Sequence, residues 1–326
     1  MIDKSERVSV SFVVIAHNEQ ERIATALASL LLQETTKDFE VIVVDDGSTD
    51  KTVQAAKEAM DNFQRQQIIS FPSNRGRGAA RLEGQMRARG EYLAFIDSDV
   101  SLPTNWVERV WSAVEKEGLD AVSGIAIPDG DCVVIARIGR LDPKTRGGSA
   151  ALTGNNLFIK REVIADVPFQ NIPYGDDIRL AWDLEIAGYK TRSISDLVVN
   201  HAESKSFKRT AVWQYQQGKE ATALLWDYRK FRVPDLAWFG SLFVVIFSFF
   251  LLGESFKLEG AILCEVVYCI LVSLIFLYSR FYLKFFSARV YLAIAVNSIF
   301  MASYLVGRFM GFFGSLKKGI RNSNEN

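Results

Sequence analysis

Four apolar, β-branched stretches alternate with helix-forming stretches over the first hundred residues, and that alternation restricts the chain more than any other feature. The stretches are Val8–Ile15, Phe39–Val44, Gln67–Phe71 and Tyr92–Ile96. Between the first two, Ile23, Leu27, Leu30 and Leu31 recur at helical spacing. Strands of near-continuous apolar character that alternate with helices predict an α/β, doubly wound, mostly parallel sheet with both faces covered. Such sheets bind ligands in the crevice beyond the C-terminal ends of their strands. The polar residues that follow each stretch are therefore the first candidates for chemistry.

The fourth stretch runs into Asp97-Ser98-Asp99. Two carboxylates at i and i+2 at a strand end suit Mg²⁺ or Mn²⁺ held together with a ligand's phosphates. The second stretch ends in Asp45-Asp46-Gly47-Ser48-Thr49-Asp50, where Ser48 or Thr49 is expected to cap the next helix. Asn74-Arg75-Gly76-Arg77-Gly78-Ala79-Ala80-Arg81 opens a third helix. It lacks the third glycine of a dinucleotide fingerprint. Two readings stand for it: a tight turn, or backbone N–H groups that face phosphates together with Arg75 and Arg77. Farther on come a helix over 103–116, a strand over 120–127 and a poorly patterned stretch over 128–150, expected to be a loop. A strand over 152–159 follows. Gly175-Asp176-Asp177 then starts another helix, and a strand from Tyr189 leads to His201. Two acids at a helix start are consistent with dipole stabilisation alone, or with a catalytic carboxylate.

Taken in order, Ala16-His17-Asn18-Glu19, Val43–Asp50, Asn74–Arg81, Phe95–Asp99, Gly154-Asn155-Asn156-Leu157, Gly175-Asp176-Asp177 and Gly188-Tyr189 resemble the family 2 glycosyltransferases of the GT-A fold. The resemblance covers residues 8–200. It implies a nucleotide-sugar donor (a UDP- or GDP-sugar) bound by Asn18, Glu19, Asp46, Arg75, Gly76, Arg77, Asp97 and Asn156. It implies Mg²⁺ or Mn²⁺ at Asp99, with His201 as a further ligand. It implies Asp177 as the base on an acceptor hydroxyl, and inversion at the sugar. His17 stands where the family usually has tyrosine, and Asp176 where glutamate is commoner. The Gln-x-x-Arg-Trp motif of processive synthases is absent from Gln214-Tyr215-Gln216-Gln217-Gly218, which points to transfer of a single sugar. The acidic helix start favours a hydroxyl acceptor over the phosphate acceptor of polyprenyl- or dolichyl-phosphate glycosyltransferases. A non-catalytic GT-A scaffold is the reading from another functional class.

Composition divides the chain after this region. The 38 basic and 38 acidic residues balance, so a general nucleic-acid binder is not expected. The charge is concentrated before residue 232. The three cysteines, Cys132, Cys264 and Cys269, lack metal-ligand spacing. The start is charged and has no signal-peptide core. Residues 204–234 mix aromatic and basic side chains as interfacial helices do. Leu236–Gly253, Leu258–Ser279 and Val290–Gly314 each approach the ~20 residues that span a bilayer. Glu265, Asn297 and Arg308 lie within them and are expected to face other helices or a polar path. Arg229, Lys230 and Arg232 place the catalytic part on the cytoplasmic side, and Arg280, Lys284 and Arg289 place the loop after the second segment there too, as in a hairpin. A third span would put Lys317, Lys318 and Arg321 outside, so two to three membrane segments are expected, the last of them either re-entrant or interfacial or an exception to the positive-inside tendency. The expected organisation is a catalytic domain over 1–203, interface helices over 204–234 and a helical membrane region over 235–326. The expected role is a multi-pass cell-membrane enzyme acting on a lipid-linked acceptor in cell-envelope polysaccharide or glycolipid synthesis.

Overall fold

The computed structural model describes residues 8–128, 152–202, 207–230, 233–251, 257–281 and 298–314. Those up to 202 form one compact unit and those from 207 another. The first unit is built on β1 (Val10–Ala16), β2 (Phe39–Asp45), β3 (Gln66–Ser70), β4 (Tyr92–Asp97), β5 (Val100–Ser101), β6 (Ala121–Pro128), β7 (Asn156–Lys160) and β8 (Thr191–His201). Its helices are α1 (Ile23–Leu31), α2 (Thr52–Met60), α3 (Arg77–Arg87), α4 (Trp106–Glu117), α5 (Arg161–Asp166) and α6 (Asp176–Ile186).

All eight strands join one sheet in the order β3-β2-β1-β4-β7-β6-β8-β5. Its first half is parallel, as expected. The second half is mixed: β7 runs antiparallel to β4 and β6, and β5 antiparallel to β8, while β6 and β8 are parallel, so the sheet as a whole is mostly parallel with two reversed strands. An apolar run specifies a buried strand and not its direction, which depends on the connection.

Side-chain alternation sorts the core into two layers. Val10, Phe12 and Val14 of β1 pack with Leu27, Met60, Trp106 and Val110, from α1, α2 and α4. Val13 and Ile15 point the other way, onto Ala80, Ile164, Leu180 and Leu184, from α3, α5 and α6. The first half of the sheet thus has helices on both faces, which is why its strands are apolar throughout.

α3 lies close against the sheet because Gly84 faces β1. A Cβ at Gly84 would sit 2.2 Å from Val13 Cγ1, a stiff β-branched atom. Gly84→Ala is expected to destabilise the fold by about 1–3 kcal/mol through overpacking. A lowered denaturant midpoint at unchanged slope would show it.

One local expectation is also corrected. The start of α2 is tied by Asp50, whose Oδ1 accepts the Thr52 N–H at 3.0 Å. Ser48 and Thr49 instead bond to Asn18.

The second unit holds α7 (Phe207–Tyr228), α8 (Val233–Leu251), α9 (Lys257–Phe281) and a helix over 298–314. Among the described residues no helix is long and apolar enough to cross a membrane. The segments Leu236–Gly253, Leu258–Ser279 and Val290–Gly314 lie partly outside the described residues, as do Asn297, Cys132 and the stretch 129–151. Within this unit the embedded charges pair with neighbouring helices. Arg308 and Asp235, both fully buried, form an ion pair, and the guanidinium lies 4.7 Å from the Trp238 ring centre. Ser241 Oγ donates to Glu265 Oε1 at 2.6 Å. Gly307 lets its helix touch α7, since a Cβ there would meet the Tyr215 carbonyl at 1.9 Å.

Candidate active site

Strand register lines up the polar ends. Ala16 of β1 is opposite Asp45 of β2, and Ile15 is opposite Asp97 of β4. β7 is antiparallel, so it begins rather than ends at this edge: Asn156 pairs with Ile96. β8 ends here too, with His201 opposite Val100. The sheet therefore delivers Asp97, Asp99, Gly154 and His201 to one side.

His201 Nε2 lies 3.1 Å from Asp99 Oδ2, and both side chains are mostly buried. The Asp99 carbonyl accepts the Ala202 N–H at 2.8 Å, which fixes the pair from the backbone as well. This carboxylate and imidazole form a two-donor set. Among the described residues no group of three or more His, Cys, Asp or Glu is placed to hold a metal ion. A divalent ion there would take its remaining positions from a ligand's phosphates and water, the usual arrangement for Mg²⁺.

Asn18 and Glu19 act mainly on their surroundings. Asn18 has a left-handed backbone (φ 56°), which asparagine tolerates. Its Oδ1 accepts the Thr49 N–H at 2.9 Å and its own N–H goes to Ser48 Oγ at 2.8 Å, joining the loops after β1 and β2. The Glu19 carboxylate pairs with Arg22. Burial raises its proton affinity, opposed by Arg22 and reinforced by Asp99 and Asp97.

Of the two readings of the loop before α3, the tight turn fits its hydrogen bonds. Asp46 Oδ1 accepts the Arg75 N–H at 2.6 Å and Asp46 Oδ2 the Gly76 N–H at 2.9 Å. The Gly78 N–H goes to the Ile172 carbonyl at 3.2 Å. The glycine amides are thus already engaged and do not form an open phosphate cradle. What the loop keeps exposed is the Arg75 side chain, 4.7 Å from the Phe71 ring centre, with Arg77 half-exposed beside it. Asn156 is not brought to this group. It is fully buried, and its Oδ1 accepts the Trp106 indole N–H at 2.9 Å.

Asp176 and Asp177 open α6 after Gly175 (φ 74°). Asp176 is fully buried against Arg81. Asp177 is half-buried; its Oδ1 accepts the Ile178 N–H at 2.9 Å, while Oδ2 has the Gly154 N–H at 3.4 Å. Oδ2 is therefore the less committed, more basic oxygen. Burial first, and then the Asp176 charge, push Asp177 above the usual carboxylate range; Arg81 and Arg77 oppose them. A carboxyl poised this way is suited to accept a proton.

Arg81 is the residue that sequence reading missed. It is 1% exposed, binds Asp176 through Nη1 and Asp97 through Nη2 at 2.9 Å, and stays charged because Asp176, Asp97 and Asp177 outweigh its burial. Helical spacing carried the signal: positions 81, 84 and 88 fall on one inward face.

Residues 11–163 match the family described as Glycosyl transferase family 2. Glycosyltransferase AglE of Haloferax volcanii is 28% identical over 221 residues, covering 64% of this chain and 72% of that protein. The dolichyl-phosphate beta-glucosyltransferase of Saccharomyces cerevisiae is 35% identical over 119 residues, but the alignment spans only 36% of its length and 34% of this chain. Among solved structures, the mannosyltransferase PcManGT from Pyrobaculum calidifontis, in complex with GDP-Man and Mn²⁺, superposes with a TM-score of 0.63 at 18% identity. It covers 93% of this chain and 87% of its own, a likeness of fold: the mixed sheet is GT-A-like.

Proposed function

We propose that this chain, a glycosyltransferase with a family 2 domain over residues 11–163, moves one sugar from a nucleotide-sugar donor to a lipid-linked hydroxyl acceptor at a membrane, inverting the anomeric centre. The observation that carries the reading is Asp177, a half-buried carboxylate with raised proton affinity and one lightly held oxygen, on a helix bonded through Arg81 to the strand that ends in Asp97. The acceptor oxygen attacks the anomeric carbon as Asp177 Oδ2 takes its proton. The bond from that carbon to the diphosphate oxygen breaks, and the diphosphate leaves with the electron pair.

Asp97, Arg75 and Arg77 are assigned to the donor's nucleoside and phosphates. Asp46 acts through the loop it holds. Asn18 and Glu19 frame the donor end, and Asn156 supports it from the core. Asp99 and His201 are assigned to Mg²⁺ or Mn²⁺. A bound divalent cation supplies charge neutralisation for the departing diphosphate. The carboxylate–imidazole pair at 3.1 Å supports this assignment, and PcManGT was solved with Mn²⁺.

Attachment to the membrane, with the catalytic unit on the cytoplasmic side, is part of the proposal. It rests on the apolar segments of the sequence and on the exposed Phe243, Ile262, Leu263 and Val266 of α8 and α9. A polyprenyl- or dolichyl-phosphate acceptor is the second reading, favoured by the similarity to the yeast dolichyl-phosphate enzyme.

The test is a thermal-shift series on the full chain with UDP- and GDP-sugars, each with and without Mn²⁺. A ligand at 100 times its Kd stabilises by about 2.7 kcal/mol. One nucleotide class is expected to raise the melting temperature by several degrees, with a metal-dependent part. No shift with any sugar nucleotide would sink the donor assignment.

A further inference from the structure

We propose that Arg81 is a positioning residue for sugar transfer: its guanidinium fastens the donor end of β4 to the acceptor end of α6 and so fixes Asp177 in place. The inference rests on the transferase reading, with Asp177 as base.

The geometry is specific. Nη2 reaches Asp97 Oδ1 at the end of β4, at 2.9 Å, and Nη1 reaches Asp176 Oδ2 in the first turn of α6. Asp97 and Asp176 lie on elements that share no backbone hydrogen bond, and a single planar cation joins them. A guanidinium offers this two-sided fork; an ammonium does not. The same group lies against Gly154, where a Cβ would sit 2.5 Å from Arg81 Cζ. Gly154 in turn directs its N–H at Asp177 Oδ2. Arg81 thus touches the residue before the base and the backbone donor that faces the base.

The charges support the same role. The Arg81 cation stands among three carboxylates, Asp97, Asp176 and Asp177, and Arg77 adds its charge near Asp177. Arg81 Nε and Asp176 Oδ1 are buried with no hydrogen-bond partner among the described residues, so the pair already lies in a dry, low-dielectric setting where losing a further bond is costly. A displacement of about 1 Å in a catalytic group can cost about 10²-fold in rate.

A purely structural arginine would affect the folded fraction and nothing more. A positioning arginine would change transfer in protein that remains folded and still binds donor. Arg81→Lys keeps the charge but reaches one carboxylate. Gly154→Ala keeps every charge and pushes the guanidinium aside. Each is purified as the full chain, and three quantities are read: the melting-temperature shift with the sugar nucleotide and Mn²⁺, kcat for transfer, and the acid limb of the kcat–pH profile.

The expected result is a donor-induced shift kept within a few degrees, kcat lower by about 10- to 100-fold, and an acid limb moved to higher pH because the cation has moved away from Asp177. If Arg81→Lys does not fold, Gly154→Ala carries the same expectation. Folded variants with wild-type kcat per folded molecule and an unmoved limb would overturn the proposal. A wild-type chain that binds sugar nucleotide but transfers to no acceptor would overturn the transferase reading and this inference with it.

Discussion

Asp177→Asn lowers the rate of transfer to a hydroxyl acceptor by about 10²- to 10⁴-fold, the usual worth of general base catalysis, and at neutral pH it makes the protein more stable. The opposite directions have one cause. Burial and the neighbouring Asp176 charge raise the proton affinity of Asp177 in the folded chain above its value in the unfolded chain. Between those two values the folded state holds more protons than the unfolded state. Stability is therefore highest below the unfolded pKa, falls as pH rises through the folded pKa, and stays lower above it. At neutral pH the ionised side chain is a stability cost, and asparagine removes it. Asparagine Oδ1 can still accept the Ile178 N–H, so the start of α6 keeps its bond.

The same sign governs the rate. Only ionised Asp177 can take a proton, so kcat should rise through an acid limb lying above the ordinary aspartate range. Asp177→Asn abolishes that limb together with the activity. The measurement is kcat against pH for both proteins, paired with denaturation at pH 7. A lipid phosphate acceptor is already anionic and needs no base. If Asp177→Asn left transfer to a lipid phosphate largely intact and no lipid hydroxyl were glycosylated, the second reading would replace the first.

The sheet and the strand ends that carry the site were legible because burial writes itself into composition. β1, β2 and β4 are apolar throughout, and the acids follow them directly. What escaped was direction and depth. Nothing in Asn156–Lys160 distinguishes a parallel from an antiparallel strand, yet the reversal of β7 is what turns Gly154 toward Asp177. Asn156 matched a motif and so was read as facing the donor, while the pleat places it under Trp106. The glycines before α3 suit a tight turn or open amides alike, and only the fold shows that Asp46, about thirty residues earlier, occupies the Gly76 amide. Arg81 was missed for a related reason. A charged residue is expected to be solvated, and only its three carboxylate neighbours, brought from β4 and α6, make its burial tolerable. Pairings between distant segments leave no mark on local pattern.

Asp99→Ala isolates the donor side of the same centre. The substitution removes the side-chain pairing with His201 and keeps the Asp99 backbone carbonyl, bonded to the Ala202 N–H at the β5–β8 junction. The unliganded protein should lose about 0.5–3 kcal/mol and stay folded. The Mn²⁺-dependent part of the sugar-nucleotide melting shift should vanish. The metal-independent part, held by Asp97, Arg75 and Arg77, should remain. Transfer should fall by about 10³-fold, since charge stabilisation at a departing diphosphate is worth several kcal/mol and each 1.36 kcal/mol is tenfold in rate. His201→Ala should reproduce the pattern at smaller amplitude, because Asp99 retains the charge that attracts a cation. The two variants answer different questions. An undiminished Mn²⁺-dependent shift in Asp99→Ala would remove the metal from this carboxylate. An undiminished shift in His201→Ala alone would leave Asp99 as ligand and reduce the imidazole to a hydrogen-bond partner of that carboxylate, 3.1 Å away across the β5–β8 pairing.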